Sequence, residues 1–250
     1  MNTNRTVLVT GGSRGIGAAT ARLAAAQGWD VAVNYTRDAA AAQAVAADVQ
    51  ALGRRALVLR ADVAEHAQVQ AMFAAIDQAW GRLGGLVNNA GVVDVPARVD
   101  QMSPQRLQRM FAVNVMGSIW CAQEAVRRMS TRHGGVGGSI VNLSSAAARL
   151  GSPGQYVDYA TAKGAIDTFT LGLAREVAAE GVRVNAVRPG IIETDIHASG
   201  GQPDRAAQLA PQVPMQRAGS ADEVAQAIVW LLGDGASYTT GAVVDVTGGR

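Results

Sequence analysis

Two side chains four residues apart, Tyr159 and Lys163, are the pair in this chain best suited to proton transfer. Lys163 is the only lysine among the 22 Lys and Arg residues, so a composition that otherwise uses arginine places one lysine here. On a helix, positions i and i+4 face the same way, which brings the ammonium near the phenol. A nearby positive charge favours the phenolate and lowers the tyrosine pKa from about 10 toward neutrality. A phenol tuned in this way can exchange a proton with a substrate oxygen. A surface tyrosine beside a solvated lysine has the same spacing, so the rest of the chain must decide between the two.

A glycine-rich loop near the amino terminus has the context that a phosphate-binding loop needs. A short apolar strand, residues 6–9, leads into TGGSRGIG over residues 10–17, and an alanine-rich helical pattern follows. Gly11, Gly15 and Gly17 permit unusual backbone angles and close approach of a ligand, and the helix N-terminus presents free N–H groups to an anion. The sequence predicts a dinucleotide phosphate site here.

The tip of the next predicted strand, residues 30–35, bears on the choice of nucleotide. At this place an acidic residue accepts from the ribose 2′-hydroxyl of NAD, whereas a cation suits the 2′-phosphate of NADP. The tip reads Asn-Tyr-Thr-Arg over residues 34–37, and no carboxylate occurs before Asp38. Arg37 and the loop residue Arg14 therefore favour NADP(H), with NAD(H) as the alternative.

Three later strand ends carry residues that suit a ligand site. The third predicted strand leads into Asp62 and Val63, the fourth ends in NNAG over residues 88–91, and the sixth ends in RPG over residues 188–190. In open α/β sheets, ligands bind beyond the carboxyl ends of the strands. The same residue types also suit tight turns, so these signals are moderate by themselves.

Asn114 lies in the most apolar part of a helix predicted from Ser103 to about Met129. A buried amide without partners costs on the order of 1–3 kcal/mol. Asn114 therefore either holds a backbone group or a water in place, or faces solvent. We favour the interpretation in which Asn114 holds a backbone group or a water in place.

Composition narrows the class of protein. The chain has 250 residues, is 48% hydrophobic and 17% charged, and has a net charge of +2 without a basic block, which argues against nucleic-acid binding. Cys121 is the only cysteine and the three histidines lack metal-ligand spacing, so we expect no metal. No apolar run approaches the roughly 20 residues that span a membrane, and the N-terminus shows no signal-peptide pattern. We expect a cytoplasmic protein.

Strand and helix patterns alternate along the whole chain. The strands after the first are predicted at residues 30–35, 56–60, 85–88, 139–143, 182–187 and 242–246. This alternation predicts an α/β fold: one doubly wound, Rossmann-type parallel sheet of about seven strands with helices on both faces. We expect a single domain over residues 1–250, with a substrate loop at about residues 191–214. Glu193 and His197 are polar candidates in that loop, although a solvated loop explains both.

In this order the motifs resemble those of the short-chain dehydrogenase/reductase family, and the resemblance covers nearly the whole chain. The matching segments are TGGSRGIG, NNAG, Asn114, the Tyr159-x-x-x-Lys163 pair, RPGIIET over residues 188–194 and DVTGG over residues 245–249. Any one of these motifs is weak, but the ordered set is specific.

The resemblance implies the roles of particular residues. The implied catalytic set is Asn114, Ser145, Tyr159 and Lys163. The implied cofactor-binding set is Gly11, Ser13, Arg14, Gly15, Ile16, Gly17, Thr36, Arg37, Asp62, Val63, Asn89, Ala90, Gly91, Tyr159, Lys163, Pro189, Gly190, Ile192 and Thr194. Tyr159 would transfer the proton, Ser145 would hold the substrate oxygen, Lys163 would lower the Tyr159 pKa and hold the cofactor ribose, and Asn114 would fix a water in a proton relay. A homotetramer is also implied, with the helices around Asn114 and after Tyr159 at one interface.

The catalytic serine has two candidates, because Ser144 and Ser145 are adjacent. The second of such a pair is usually the match, yet Ser145 precedes Tyr159 by 14 residues where the family usually has 13. We attribute the extra residue to the turn between them. Ser145 is our assignment, with Ser144 in reserve.

The implied function is NADP(H)-dependent hydride transfer between the nicotinamide and a small carbonyl compound or secondary alcohol. One candidate is a reductase of 3-oxoacyl carrier-protein substrates, for which Arg127, Arg128 and Arg132 are potential contacts with an acidic partner. The alternatives are a sugar or polyol dehydrogenase and, with less support, a nucleotide-binding regulator without activity. A P-loop enzyme is excluded because no GxxxxGK[ST] is present.

Overall fold

A computed structural model describes residues 5–250 apart from the side chain of His197, and it contains the predicted alternation of strands and helices. The strands are β1 (Thr6–Val9), β2 (Asp30–Tyr35), β3 (Ala56–Arg60), β4 (Gly85–Asn88), β5 (Gly138–Leu143), β6 (Val182–Pro189) and β7 (Val243–Val246). The helices are α1 (Gly15–Ala26), α2 (Ala39–Ala51), α3 (His66–Trp80), α4 (Pro104–Phe111), α5 (Gly117–Met129), α6 (Ala147–Leu150), α7 (Val157–Val177), α8 (Ile196–Ser199), α9 (Arg205–Leu209) and α10 (Ala221–Leu232).

The strands form one parallel sheet in the order β3-β2-β1-β4-β5-β6-β7. The chain builds outward from β1 to β3, returns to place β4 on the other side of β1, and then builds outward to β7. The strand order therefore reverses between β1 and β4, and the loops that follow these two strands diverge there. Such a switch point leaves a crevice at the carboxyl ends of the strands.

Apolar side chains of the strands cover both faces of this sheet. Val7 and Val9 pack with α1 and α10 on one face, whereas Leu8 packs with α3 and α5 on the other. Successive strand residues point to opposite faces, so a wholly buried strand must be apolar throughout, as residues 6–9 nearly are. The predicted Rossmann-type sheet with helices on both faces is confirmed.

Serine side chains cap the starts of α4 and α10. The Ser103 side chain accepts from the Arg106 amide at the start of α4, and Ser220 forms a capping box with Glu223 at the start of α10. Each such cap contributes roughly 1 kcal/mol. The helix expected to run unbroken to Met129 instead contains a π-helical turn, Ala112–Met116, between α4 and α5. A π turn inserts one residue into the hydrogen-bond ladder, and neither apolar periodicity nor propensity announces it.

The segment predicted as the substrate loop, residues 191–214, contains short helices rather than irregular chain alone. It includes α8, α9 and a 3-10 turn at Ala210–Gln212. One parallel bridge between Ile192 and Gly219 fastens its beginning to the chain that precedes α10. Across residues 5–250, no helix is both long and apolar enough to cross a lipid bilayer.

Candidate active site

The glycine loop lies at the switch point, between the end of β1 and the start of α1. Gly11 and Gly15 have φ angles of +60° and +52°, in the left-handed region that favours glycine. A Cβ added at Gly17 would lie 2.4 Å from the Gly11 carbonyl oxygen, so α1 can approach the loop only without a side chain there. This arrangement leaves backbone N–H groups at the helix N-terminus facing the crevice, which fits a dinucleotide phosphate.

Two buried or part-buried amide side chains hold the glycine loop in place. Asn34 at the end of β2 accepts from the Gly11 amide at 3.1 Å and donates to the Ala61 carbonyl at 3.0 Å. Asn89 after β4 donates to the carbonyl oxygens of Thr10 and Gly11 at 2.8 and 3.0 Å. The loop is therefore tied to both neighbouring strand ends. Asn34 lies at the end of β2 that is predicted to meet the nucleotide, but its side chain is buried and stabilises the loop.

The exposed end of the crevice carries the two arginines that the sequence associates with NADP. Arg14 and Arg37 are both exposed, and no carboxylate of residues 5–250 pairs with either. Thr36 is exposed beside Arg37, and the Thr36 hydroxyl lies 3.5 Å from the Ala61 carbonyl. The Arg14 guanidinium donates to the Ser199 hydroxyl at 3.4 Å. Two guanidiniums without an acidic partner at this position suit a phosphate.

Asp62 and Val63 follow β3 at the same edge of the sheet. The Asp62 carboxylate accepts from the Ala64 amide at 3.0 Å, and Gln68 accepts from the Asp62 amide. Val63 is only 4% exposed and packs against Gly117 at the start of α5. The Val63 side chain therefore belongs to the core, and only its backbone can contribute to a nucleotide site.

Ser145 is the serine that the structure places against Tyr159. The Ser145 hydroxyl is close enough to the Tyr159 phenol to oppose the rise of the Tyr159 pKa, and it accepts from the Ala147 amide at 3.1 Å. Ser144 is buried, and its hydroxyl donates to the Lys163 carbonyl at 3.2 Å. Both serines line the cleft, but the Ser144 hydroxyl joins β5 to α7. The segment between Ser145 and Tyr159 contains α6 and the turn after it.

Lys163 is almost wholly buried beside Tyr159. Its ammonium donates to the Leu143 carbonyl at 2.7 Å and lies 5.6 Å from the centroid of the Tyr159 ring. Burial lowers the Lys163 pKa to about 8, and the carboxylate of Asp167, one helical turn later, opposes that shift. A Cβ added at Gly91 would lie 3.6 Å from this ammonium, so the NNAG turn faces the same charge.

The prediction that Lys163 lowers the Tyr159 pKa is wrong for the protein groups by themselves. Burial raises the pKa of Tyr159 to about 12, and only the hydrogen bond with Ser145 opposes this shift. Burial disfavours the charged form of both groups, so it raises the pKa of the phenol and lowers that of the ammonium. The helical spacing correctly places the pair but says nothing about how deeply it is buried.

Asn114 is completely buried in the π turn, and its side chain holds backbone groups. Its carbonyl oxygen accepts from the Val92 amide at 3.1 Å, and its NH₂ group donates to the carbonyl oxygens of Val92 and Met110 at 3.0 Å each. The solvent-facing alternative is therefore excluded. A Cβ added at Gly91 would lie 2.9 Å from the Asn114 carbonyl oxygen, which explains a glycine at the end of NNAG. Asn114 fastens the chain after β4 to the α4–α5 segment.

The cleft joins most of these residues into one site. Its walls bring together the predicted residues Ile16, Asn89, Gly91, Ser145, Tyr159, Lys163, Pro189, Gly190, Ile192 and Thr194. Asn114 lies behind this wall, and Gly11, Ser13, Arg14, Gly15, Gly17, Thr36, Arg37, Asp62, Val63 and Ala90 lie along the strand ends outside it. The glycine loop and the loop after β6 meet, because a Cβ at Gly15 would lie 3.4 Å from the Thr194 methyl.

The substrate side of the cleft includes Ile196 and Arg205 of the predicted substrate loop, whereas Val93 was not predicted to contact the substrate. Val93 and Ile196 line it with Tyr156 and Arg205. Glu193 is exposed and does not line the cleft, and the side chain of His197 lies outside the described residues.

A buried ion pair next to Tyr159 was also missed. Arg106 on α4 forms two hydrogen bonds with Asp158 on α7, at 2.7 and 3.2 Å, and a third with the Val95 carbonyl. Their side chains are only 7% and 0% exposed. Asp158 directly precedes Tyr159, so this pair fixes the first turn of α7 relative to α4. No local pattern connects two residues that are 52 positions apart.

Comparisons with known proteins agree over almost the full length. The family model described as Enoyl-(Acyl carrier protein) reductase matches residues 11–250. The uncharacterized oxidoreductase YgfF of Escherichia coli strain K12 is 56% identical over 243 residues, which cover 97% of this chain and 98% of that protein. The 3-oxoacyl-[acyl-carrier-protein] reductase FabG of Staphylococcus aureus strain Mu50 is 34% identical over 249 residues, covering 100% of this chain and 99% of FabG.

A solved structure is similar in both fold and sequence. A short chain dehydrogenase from Burkholderia cenocepacia J2315, in complex with NADP, superposes with a TM-score of 0.89 at 35% identity. The match covers 98% of this chain and 97% of that one.

Replacing Arg106 by Met should lower the free energy of unfolding by about 3–5 kcal/mol, because it leaves the buried Asp158 carboxylate without its cation. Urea denaturation followed by circular dichroism measures the change. Arg22→Met is the matched control, since Arg22 pairs with Asp48 at the surface, where the two side chains are 47% and 51% exposed; it should cost less than about 1 kcal/mol. Equal losses would show that the Arg106 pair is no more important than a surface pair.

Lys163 should titrate with a pKa near 8 rather than the value near 10.5 of an exposed lysine. Because it is the only lysine, protein labelled with ¹⁵N-lysine gives one side-chain signal that needs no assignment, and NMR titration measures its pKa directly. Asp167→Asn removes the carboxylate that opposes the shift and should lower the Lys163 pKa further. An unshifted pKa in the folded protein would contradict the buried position of the ammonium.

Proposed function

The chain belongs to the short-chain dehydrogenase/reductase family and is an NAD(P)-dependent oxidoreductase, and within that class we propose that it reduces the carbonyl group of a small molecule with NADPH. The observation that carries the proposal is that Ser145, Tyr159 and Lys163 line one cleft. Ile16 of the glycine loop and Thr194 of the loop after β6 line the same cleft.

The proposed chemistry divides between cofactor and protein. The nicotinamide ring, when bound, supplies the hydride that reaches the carbonyl carbon. Ser145 donates a hydrogen bond to the carbonyl oxygen, and Tyr159 gives its phenolic proton to that oxygen as negative charge develops on it. Lys163 would hold the ribose and, by its charge, stabilise the phenolate that remains. The Asn114 side chain is hydrogen-bonded to the backbone of Val92 and Met110. It would therefore position the NNAG turn, and through this turn a water in the proton relay.

The protonation state of Tyr159 supports reduction over oxidation. A phenol with a pKa near 12 holds its proton throughout the neutral range, and this is the form that can donate to a carbonyl oxygen. Oxidation of an alcohol needs the phenolate, which this environment disfavours at neutral pH.

Two features support NADP(H) as the preferred cofactor, with NAD(H) as the alternative. Arg14 and Arg37 are exposed without an acidic partner at the end of the crevice, and no carboxylate stands at the tip of β2. The similar solved structure from Burkholderia cenocepacia holds NADP. Both point to recognition of the 2′-phosphate.

The composition of the cleft bears on the substrate. Its walls are largely apolar, with Val93, Leu143, Ile191 and Ile196 among the lining residues. A sugar or polyol presents several hydroxyl groups that would need polar partners. Several polar side chains that line the cleft are already hydrogen-bonded within the protein, namely those of Asn89, Ser144, Tyr156 and Arg205. A small, largely apolar carbonyl compound fits better.

The arginines considered for carrier-protein docking do not face this cleft. Arg127 pairs with Glu124, Arg128 pairs with both Asp77 and Glu124, and Arg132 lies 3.9 Å from Glu180. They lie at the end of α5 and in the turn before β5, which is the amino edge of the sheet. An acidic carrier protein would find partly neutralised charges there, far from the reacting groups.

The family resemblance also supports a homotetramer and a cytoplasmic location as proposals. Met116 in the π turn and Leu171 on α7 are each 41% exposed. These large apolar side chains lie on the two helical segments that the resemblance assigns to a subunit interface, where burial would stabilise association.

Tyr159→Phe should lower kcat for carbonyl reduction by ~10²–10⁴-fold because it removes the proton donor. NADPH binding, followed by quenching of tryptophan fluorescence, should remain. Ser145→Ala should lower kcat by ~10²–10³-fold because it removes a donor to the oxyanion. Ser144→Ala is the matched control and should retain most of the activity; the opposite order of the two serine variants would reverse the assignment.

Arg37→Asp should shift the ratio of NADPH to NADH affinity toward NADH by about 10- to 100-fold, since a charge-assisted hydrogen bond is replaced by repulsion. The two dissociation constants are measured by fluorescence titration. Arg132→Asp, at the opposite edge of the sheet, should leave the ratio unchanged. An unchanged ratio in Arg37→Asp would show that another group reads the phosphate.

A further inference from the structure

The cleft has an unusual charge balance on its substrate side. Among the described residues that line it, Lys163 and Arg205 are the only charged side chains, and no carboxylate is present. Lys163 is buried against Leu143 beside Tyr159, where the proposed function uses it. Arg205 is therefore a cation in the cleft with no part in hydride or proton transfer.

The Arg205 guanidinium is held in a defined orientation by neutral groups. It stacks on Tyr156, with the guanidinium carbon 5.1 Å from the ring centroid. One terminal nitrogen donates to the Gln202 side-chain carbonyl at 2.7 Å and the other to that of Gln155 at 2.8 Å. The Tyr156 hydroxyl donates to the same Gln202 oxygen at 2.8 Å, which fixes the glutamine as an acceptor.

Neutral amide acceptors leave the Arg205 charge uncompensated. Within residues 5–250, no carboxylate oxygen lies within 4 Å of Arg205, whereas Arg106, Arg128, Arg188 and Arg217 all pair with acids. Hydrogen bonds from an arginine to a carboxylate are about twice as strong as those between neutral groups. A carboxylate that entered the cleft would therefore displace the amide oxygens from the planar fork.

Resting on the proposed function, we propose that the substrate is an oxo acid, and that Arg205 binds its carboxylate while Tyr159 and Ser145 hold its ketone. The fork fits a carboxylate bidentately, and Tyr156 supports it by stacking. Arg205 is then the residue that determines specificity. Arg205, Ser145 and Tyr159 line the same cleft, and its apolar lining residues would contact the carbon chain that links the carboxylate to the ketone.

The test compares matched pairs of substrates. Oxohexanoates with the ketone at carbon 2, 4 or 5 are each assayed against their methyl esters with NADPH, which varies the distance from charge to ketone. For the best chain geometry, wild-type kcat/KM should favour the carboxylate by at least about tenfold, or about 1.4 kcal/mol. Equal values for acid and ester at every position would overturn the proposal, even though reduction of the ketones would uphold the proposed function.

Variants at Arg205 separate recognition from a structural role. Arg205→Met should lower kcat/KM for the carboxylate by about 10- to 100-fold, mainly through KM, and change it for the ester by less than about threefold. Arg205→Lys should retain part of the preference, because it keeps the charge without the fork. Arg22→Met, remote from the cleft, should leave kcat/KM unchanged for both the carboxylate and the ester. Equal losses for acid and ester in Arg205→Met would mean that Arg205 only fastens α9 to Tyr156 and Gln155.

A binding measurement tests the carboxylate site at Arg205 independently of catalysis. Calorimetric titration of the wild type should detect hexanoate but not hexanamide, and Arg205→Met should lose the hexanoate signal. Binding of hexanoate that is unaffected in Arg205→Met, or no binding in the wild type, would overturn the proposal. If no ketone oxidised NADPH while hexanoate still bound through Arg205, the proposed function would fail and the anion site would stand.

Discussion

Burial of the Lys163 ammonium is the constraint on which the rest of the site depends. A charged amine away from water is expensive unless other groups compensate it. Here the Leu143 carbonyl accepts from it, and the Asp167 carboxylate stands one helical turn away. Asp167 in turn pairs with Arg188 on β6, which reaches Asp245 on β7. These contacts connect α7 to the carboxyl ends of β5, β6 and β7.

Asparagine side chains connect loops to neighbouring elements on the cofactor side of the site. Asn34, Asn89 and Asn114 each connect a loop at the carboxyl edge of the sheet to a neighbouring element through backbone hydrogen bonds. An asparagine can satisfy one backbone N–H and one or two carbonyls at once, which suits irregular chain between strands. The glycine loop and the NNAG turn are consequently held rigid, and a preorganised site loses little entropy when it binds a nucleotide.

The same environment gives the cleft its chemistry. Burial raises the pKa of the Tyr159 phenol and lowers the pKa of the Lys163 ammonium. One physical cause therefore shifts the two pKa values in opposite directions. Lys163 and Arg205 are the only charged side chains among the described lining residues. A largely apolar lining with two cations suits the oxyanion and the anionic substrate that we propose.

Local pattern was sufficient for much of this protein. Alternating strands and helices, the glycine loop, the Tyr159–Lys163 spacing and the serine caps all follow from short-range chemistry, and the structure contains each of them. Tertiary structure alone decided which serine faces Tyr159, how far burial moves the two pKa values, and where the π turn falls. It also decided that Arg106 meets Asp158 and that Arg205 enters the cleft. These outcomes depend on contacts between residues far apart in the chain and on depth below the surface, which no spacing of residue types encodes.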